Sequence, residues 1–476
     1  MDNKEIVPAI LGPFVGSITA DSVKLWFQLP VTVENGPITI YVTLHQMAGS
    51  ARLKHAQVVL SAESYGCGIA NFSELLADSD YYYVLWYDYQ FSKPVEMEGL
   101  VLSDLRFRTL PEKGYEEQLD FLLMSCHNPE TAKGDGADGF AVWRQIPEII
   151  SQNKNIRFAI LAGDQIYADE VEAKVLRETD ELTRERLYLN IYQKFWSNIY
   201  YRRVLCSLPA VFMWDDHDIT DGWGSREDSF VGAMSPVTEK SSEFRAEWLG
   251  MFQAAREMFL LMQAKRNPDP LSPQFTTGFD YCFQIGRAGF LVADLRSNRN
   301  VRKGTIWLPE QMAAIRTWVE TNRSELDTVF FISTVVFSHG APQVDNFILR
   351  FWFFVLDCVK GLGKIGFLKG LSKKFMDSVG DLRDDINDSW GSDVNASEAE
   401  TALDFLFSIQ NPGNGELPVN VVILSGDIHT PGYSTIYSSE PNHAKRATIP
   451  HVVASPVAYT PFRGGVILAL ASKPAN

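Results

Sequence analysis

A chain of 476 residues is longer than one hydrophobic core usually organises, and a hydrophobic content of 46% is enough to fill two. Its 59 acidic and 43 basic residues give a formal net charge of -16, which argues against a grip on duplex DNA or a polybasic membrane anchor, since both rely on an excess of Lys and Arg. Small anionic substrates are not excluded, because they respond to local charge.

The N-terminus, "MDNKEIVPAILGPFVGS", lacks a basic region followed by a clean apolar run and a small-residue cleavage site. No secretory signal is read, and a cytoplasmic location is expected. Cys67, Cys126, Cys206, Cys282 and Cys358 are odd in number, widely spaced and without CxxC pairs. They fit reduced thiols better than a disulfide framework, four of them as small buried hydrophobes.

From about Gly12 to Thr109 the signals are short and strand-like: "DSVKLWFQL", "PITIYVTLH", "QVVLSA" and "YYYVLWYDY", separated by Gly, Pro, Asn and Asp. Alternation with such punctuation predicts an antiparallel β-sandwich of immunoglobulin or fibronectin type over residues 1–110. "RFRTLPEKGYEEQ" supplies an exposed, charged junction near Pro111. Residues 111–476 then alternate strands with amphipathic segments and read as a layered α/β domain. "EAKVLRETDELTRERLYLNIYQKFWSNIYY", "SSEFRAEWLGMFQAAREMFLLMQAK", "LPEQMAAIRTWVETN" and "EAETALDFLFSIQ" carry apolar residues at helical spacing.

The run "NFILRFWFFVLDCV", Asn346 to Val359, is interrupted by Arg350 and Asp357. It falls short of the ~20 apolar residues that span a bilayer. A buried helix or lid is expected there, with contact at a membrane surface through 346–371 the less favoured reading. The acidic stretch 377–397 does not fit a calcium-loop spacing and reads as a solvated turn.

Five segments of the second region share one design, an apolar run that ends in metal-ligand types: "LDFLLMSCHN", "IRFAILAGDQIY", "PAVFMWDDHD", "GFLVADLRSN" and "VNVVILSGDIHT". Ligands of open α/β sheets bind outside the carboxyl ends of the strands, so these five ends are expected to converge. Asp164 follows Gly163, which allows a tight turn, and its carboxylate can bridge two cations there. Asp216 and His217 offer an oxygen and an imidazole. Asp427 and His429, two residues apart, share one face of an extended segment. Cys126 and Tyr167 add a thiolate and a phenolate suited to a trivalent or soft metal. Arg296 either clamps phosphate oxygens or pairs with Asp294 or another acid. His127 and His339 are weaker candidates. His45, His55, His443 and His451 have no such context and read as structural.

"SC" at Ser125 and Cys126, "GDQIY" at Gly163 to Tyr167, "WDDHD" at Trp214 to Asp218, "DLRSNR" at Asp294 to Arg299 and "SGDIH" at Ser425 to His429 stand in an order that resembles the PhoD-like alkaline phosphatases, within the calcineurin-like metallophosphoesterases. The resemblance implies a four-layer α/β/β/α sandwich behind the N-terminal β-sandwich, and hydrolysis of phosphate esters. It implies a site with Fe3+ and Ca2+, with Zn2+, Mn2+ or Mg2+ as substitutes at one or more positions. Carried over, Cys126, Asp164 and Tyr167 bind the iron, Asp164 bridges, and Asp216, Asp427 and His429 complete the metal set. His217 stands near the leaving group or the transition-state charge, and Asp218 orients it. Two alternatives are a metal-containing binding or regulatory protein without turnover and a membrane-surface phospholipid or GPI-type phosphodiesterase.

Overall fold

The computed structural model describes residues 11–32, 34, 36–47, 53–112, 118, 120–134, 138–225, 242–300, 303–337, 388–413, 415–429, 431–438, 447–454 and 456–459. His339, Cys358, His443 and the segment 346–371 lie outside them.

Seven strands come first: β1 (Leu11–Ile18), β2 (Val23–Gln28), β3 (Ile38–Gln46), β4 (Leu53–Leu60), β5 (Cys67–Phe72), β6 (Asp80–Trp86) and β7 (Arg106–Arg108). They form two antiparallel sheets, β1-β2-β5 and β4-β3-β6-β7. The period-2 pattern explains the pairing: Ile40, Val42 and Leu44 of β3 and Tyr81, Tyr83 and Leu85 of β6 turn inward to meet Val23, Leu25 and Phe27 of β2 in one buried cluster. The other face of β2 is buried too. Trp26, with Phe14 of β1, belongs to the cluster formed by Trp196, Tyr201 and Phe212 of the following region. Pro111 is buried rather than exposed, and the Thr109 carbonyl accepts a hydrogen bond from Arg157 at 2.8 Å.

The second region holds β8 (Asp120–His127), β9 (Ile156–Ala162), β10 (Ala210–Met213), β11 (Tyr281–Ile285), β12 (Ala288–Val292), β13 (Thr328–Ser333), β14 (Asn420–Ser425), β15 (Gly432–Tyr437), β16 (Thr448–Val453) and β17 (Pro456–Ala458). They form a parallel sheet, β10-β9-β8-β17, and a mixed one, β11-β12-β13-β14-β16-β15, whose core β12-β13-β14-β16 is parallel. Phe121 and Phe158 of the first sheet meet Phe290 and Phe330 of the second, with ring centroids 5.3–5.4 Å apart. Both faces of these strands are covered, which explains their near-continuous apolar sequences.

Helices run between the strands as the 3.6-residue pattern predicts, with one difference. The segment read as continuous from Glu172 to Tyr201 is broken into Glu172–Arg177, Glu181–Trp196 and Ile199–Leu205. Asp180 and Asn198 accept backbone N–H bonds from Thr183 and Tyr200 and so restart the helix twice. Cys67, Cys126, Cys206 and Cys282 are buried free thiols. Among the described residues no helix is long and apolar enough to cross a membrane.

Candidate metal centre

The carboxyl ends of β8, β9, β10, β12 and β14 meet, although they belong to two sheets. Three groups of side chains there bring ligand atoms within 4.8 Å of one another: Cys126, Asp164 and His429; Asp164, Asp216 and His217; Asp164, Asp215, Asp216 and Asp427. Asp164 belongs to all three.

The backbone is bent to achieve this. Cys126, Asp164, Asp427 and His429 have φ of 58°, 55°, 70° and 50°, a left-handed conformation uncommon for residues with a side chain. Such conformations persist where surrounding structure enforces them, and they concentrate at functional sites. Asp427 and His429 therefore do not share a face of an extended segment: a turn follows β14, with the His429 N–H bonded to the Asp427 carbonyl at 2.7 Å. The turn sends them to different groups. Two glycines permit the close approach. A Cβ on Gly163 would lie 2.6 Å from the Asp215 Cβ, and one on Gly426 would lie 2.3 Å from the Ala162 carbonyl.

Buried carboxylates dominate the electrostatics. Burial, with the carboxylates of Asp216 and Asp215, pushes Asp164 well above the usual range, although His217 opposes the shift. Burial and Asp388 do the same to Asp427. Burial raises Asp215 to about 6 against the pull of Arg296. Asp216 is lowered, because Arg296 and His217 outweigh its burial. Asp164 Oδ1 and Asp215 Oδ2 are buried with no hydrogen-bond partner. Leaving such oxygens unpaired costs ~1–3 kcal/mol each, more when charged, and a cation between them removes that cost. The donor set therefore fits metal ions. Burial also pushes the Cys126 thiol and the Tyr167 phenol well up, so each becomes an anionic ligand only beside a strongly charged cation. The Tyr167 hydroxyl is 3.1 Å from His429 Nε2 and 3.5 Å from Asp164 Oδ2, and Cys126 Sγ is 3.5 Å from the same oxygen. Burial lowers His429 to about 3, which keeps its imidazole neutral and able to bind a metal.

His217 is different. Burial works against its charge, but Asp169 and Asp216 outweigh it and hold the imidazolium well above the usual range. Its Nδ1 pairs with Asp169 Oδ2 at 2.9 Å. Asp218, expected to orient His217, instead turns inward. Its Oδ2 accepts the backbone N–H groups of Asp164 at 3.0 Å and Asp215 at 2.9 Å, which ties the β9 and β10 loops together.

Of the two readings for Arg296, pairing with acids is the one the structure matches, and the acids are Asp215, Asp216 and Asp388 rather than Asp294. Arg296 is fully buried; its Nε bonds Asp215, Nη1 bonds Asp388 and the Trp223 carbonyl, and Nη2 bonds Asp388 and Asp216. All five N–H groups are used, so none is left for a substrate phosphate. Its chief partner, Asp388, lies in the stretch read as a solvated turn but is 4% exposed. His127 is buried between Trp143, which donates to its Nδ1, and the Phe195 carbonyl. It belongs to the core and not to the centre.

Sequence reasoning passed over three residues. Asp215 was overshadowed by Asp216 beside it. Asp169 ends the same "GDQIYAD" stretch as Asp164 and its signal was there to read. Tyr459 stacks on His429 at 3.6 Å between ring centroids and lies 5.6 Å from Tyr167; it follows β17, a sixth apolar run ending in a polar ring.

Residues 121–323 match the family model of PhoD-like phosphatases. The "Structure of PhoD" is similar with a TM-score of 0.59 and 15% identity, over 96% of this chain and 79% of that one. The purple acid phosphatase PPD1 from seeds of yellow lupin, Lupinus luteus, is similar with a TM-score of 0.52 and 14% identity, over 96% and 67%. At these identities the likeness is one of fold. The Uncharacterized protein YGR266W of Saccharomyces cerevisiae is 24% identical over 345 residues, 59% of this chain and 46% of its own, so the match spans less than half of that relative. Over residues 121–323 the chain is similar to the PhoD-like phosphatases, and its fold resembles those of PhoD and the purple acid phosphatase.

Proposed function

We propose that the chain hydrolyses phosphate esters, mono- or diesters, with a multinuclear metal site. Cys126, Asp164 and Tyr167 would hold Fe3+, with His429 grouped beside them, and Asp216 and Asp427 would complete the metal set with Asp164 for Ca2+, with Zn2+, Mn2+ or Mg2+ as substitutes. Asp215 joins the set through its unpaired oxygen. The observation that carries this reading is the membership of Asp164 in all three ligand groups, with one buried oxygen unpaired. Bound metal ions supply Lewis-acid polarisation of the phosphoryl oxygens and a water acidic enough to react near neutral pH.

The protein's own groups do the rest. Asp169 fixes Nδ1 of His217, while Nε2 is 3.9 Å from Asp221 Oδ1, beyond hydrogen-bond reach. The imidazolium therefore presents its Nε2 proton to the substrate, as a donor to a phosphoryl oxygen or to the leaving oxygen. Arg296 offsets the charge of Asp215 and Asp216 from behind and leaves the open side of the carboxylates to cations. Asp218 keeps the two loops in register.

Turnover of an aryl phosphate and a bis-aryl phosphate by protein supplied with iron and calcium tests the reading. Hydrolysis that a chelator removes supports it; metal-loaded protein inert toward both esters overturns it.

A further inference from the structure

Asp218 has a second oxygen, and it leads away from the metal centre. Oδ1 accepts a hydrogen bond from Gln263 Nε2 at 2.9 Å, and the same amide nitrogen lies 2.9 Å from the Tyr192 hydroxyl. Gln263 is fully buried, directly after helix Ser242–Met262. The corner that follows is gripped by the N-terminal sheets. Trp26 of β2 donates its indole N–H to the Leu261 carbonyl at 2.8 Å, and Lys24 donates to the Asn267 carbonyl at 2.7 Å. Between them Arg266 is fully buried, with its guanidinium nitrogens unpaired by hydrogen bonds. It lies 3.8 Å from the ring centroid of Phe212, 4.9 Å from Trp196 and 5.1 Å from both Phe14 and Trp26. Cation–π attraction is strongest where the cation is desolvated, as here. Asn267 brackets the backbone of Phe212 with two bonds of 2.8 Å, three residues before Asp215.

We propose that Gln263 is a positioning residue for the metal centre, and that β1 and β2, by gripping the Leu261–Asn267 corner, set the affinity of that centre for cations. The chain of contacts is continuous: β1 and β2 hold the corner, Gln263 holds the Asp218 carboxylate, and Asp218 holds the N–H groups of Asp164 and Asp215. A carboxylate that accepts two backbone N–H bonds and one amide bond has its rotamer determined by all three. Removing the amide leaves a buried oxygen unpaired and frees the side chain to turn. The loops that carry the shared carboxylates then lose their common anchor. The proposal rests on the metal-dependent reading given above.

Two variants test it. Gln263→Leu removes the amide, and Trp26→Phe removes only the indole N–H to Leu261 while keeping a ring in the aromatic box. Hydrogen exchange of the Asp164 and Asp215 amides, measured on metal-free full-length protein, reads the Asp218 clamp directly; titration with Mn2+ alone reads cation affinity. We expect at least tenfold faster exchange at both amides in Gln263→Leu, and a loss of Mn2+ affinity of about 10- to 100-fold, the range for outer partners of metal ligands. Trp26→Phe should move both readouts in the same direction by less, and it carries the test if Gln263→Leu does not fold. A merely structural role lowers the melting temperature and leaves exchange at the two amides and Mn2+ affinity unchanged, and that result overturns the proposal. Wild-type protein that binds no Mn2+ counts against the metal reading, while the exchange data still decide whether Gln263 positions the loops.

Discussion

Replacing Arg296 by Met separates a buried scaffold role from a substrate clamp. Its guanidinium has no exposure and engages three carboxylates, those of Asp215, Asp216 and Asp388, whose side chains are 0%, 7% and 6% exposed. Met fills most of the volume but leaves Asp215 without a cation, while Asp216 keeps His217 and Asp388 keeps Arg299 at 2.9 Å. Losing one partner of a buried ion pair costs roughly 3–5 kcal/mol, and the stranding of Asp215 places this substitution in that range. That is a large share of the ~5–15 kcal/mol that holds a typical domain together. Urea denaturation should therefore show a much lower midpoint, with metal content falling as Asp215 and Asp216 lose their fixed positions. Arg296→Lys restores charge but offers a single point donor in place of a planar fork, so it should recover only part of the stability. If Arg296 bound substrate phosphate instead, Arg296→Lys would raise KM with an unchanged denaturation midpoint, and that pattern would refute the assignment.

Asp169→Asn leaves His217 without its anionic partner, so kcat for an aryl phosphate should fall by up to about 100-fold with metal content unchanged; undiminished kcat removes Asp169 from the mechanism. Iron-loaded protein should show a visible absorption band that weakens or shifts in Tyr167→Phe and, separately, in Cys126→Ser; a colourless iron-loaded protein sinks both as iron ligands. His127 is held neutral, its pKa lowered to about 4 by burial against the bond to the Phe195 carbonyl. Its unfolded value is near 6.5, so the unfolded chain binds the extra proton between the two values and stability falls as pH drops from 6.5 to 4, by roughly 3 kcal/mol at about 1.4 kcal/mol for each pH unit. His127→Gln should flatten that part of the stability–pH curve, and an equal slope in both proteins would contradict the account.

The strand-end motifs were legible because a buried parallel strand writes itself as an unbroken apolar run, and the polar residue that ends it must leave the core. Asp164, Asp216, Asp427, His429, Cys126 and Tyr167 could all be placed at one rim in this way. What a side chain does at the rim depends on partners far away in sequence. Arg296 looks the same on paper whether it faces a phosphate or Asp388, which lies 92 residues further on. His217 is followed at once by Asp218, yet the turn that carries both points them in opposite directions, and Asp169 reaches the imidazole from another loop. The left-handed φ values of Asp427 and His429 left only a weak sequence signal, because Asp and His enter that region more often than most side chains but far less readily than Gly. The N-terminal strands were read from their alternation, but alternation does not reveal that Trp26, on the far side of β2, packs against Trp196.

The central claim is that Asp164 joins metal ions in a hydrolytic centre. Elemental analysis of wild-type and Asp164→Asn protein, purified side by side without chelator, tests it most directly. The account predicts transition metal or calcium bound to the wild type, lost or sharply reduced in the variant, with both proteins giving the same far-ultraviolet circular dichroism. Equal metal content in the two proteins, or a wild type that hydrolyses phosphate esters without any metal, would contradict it.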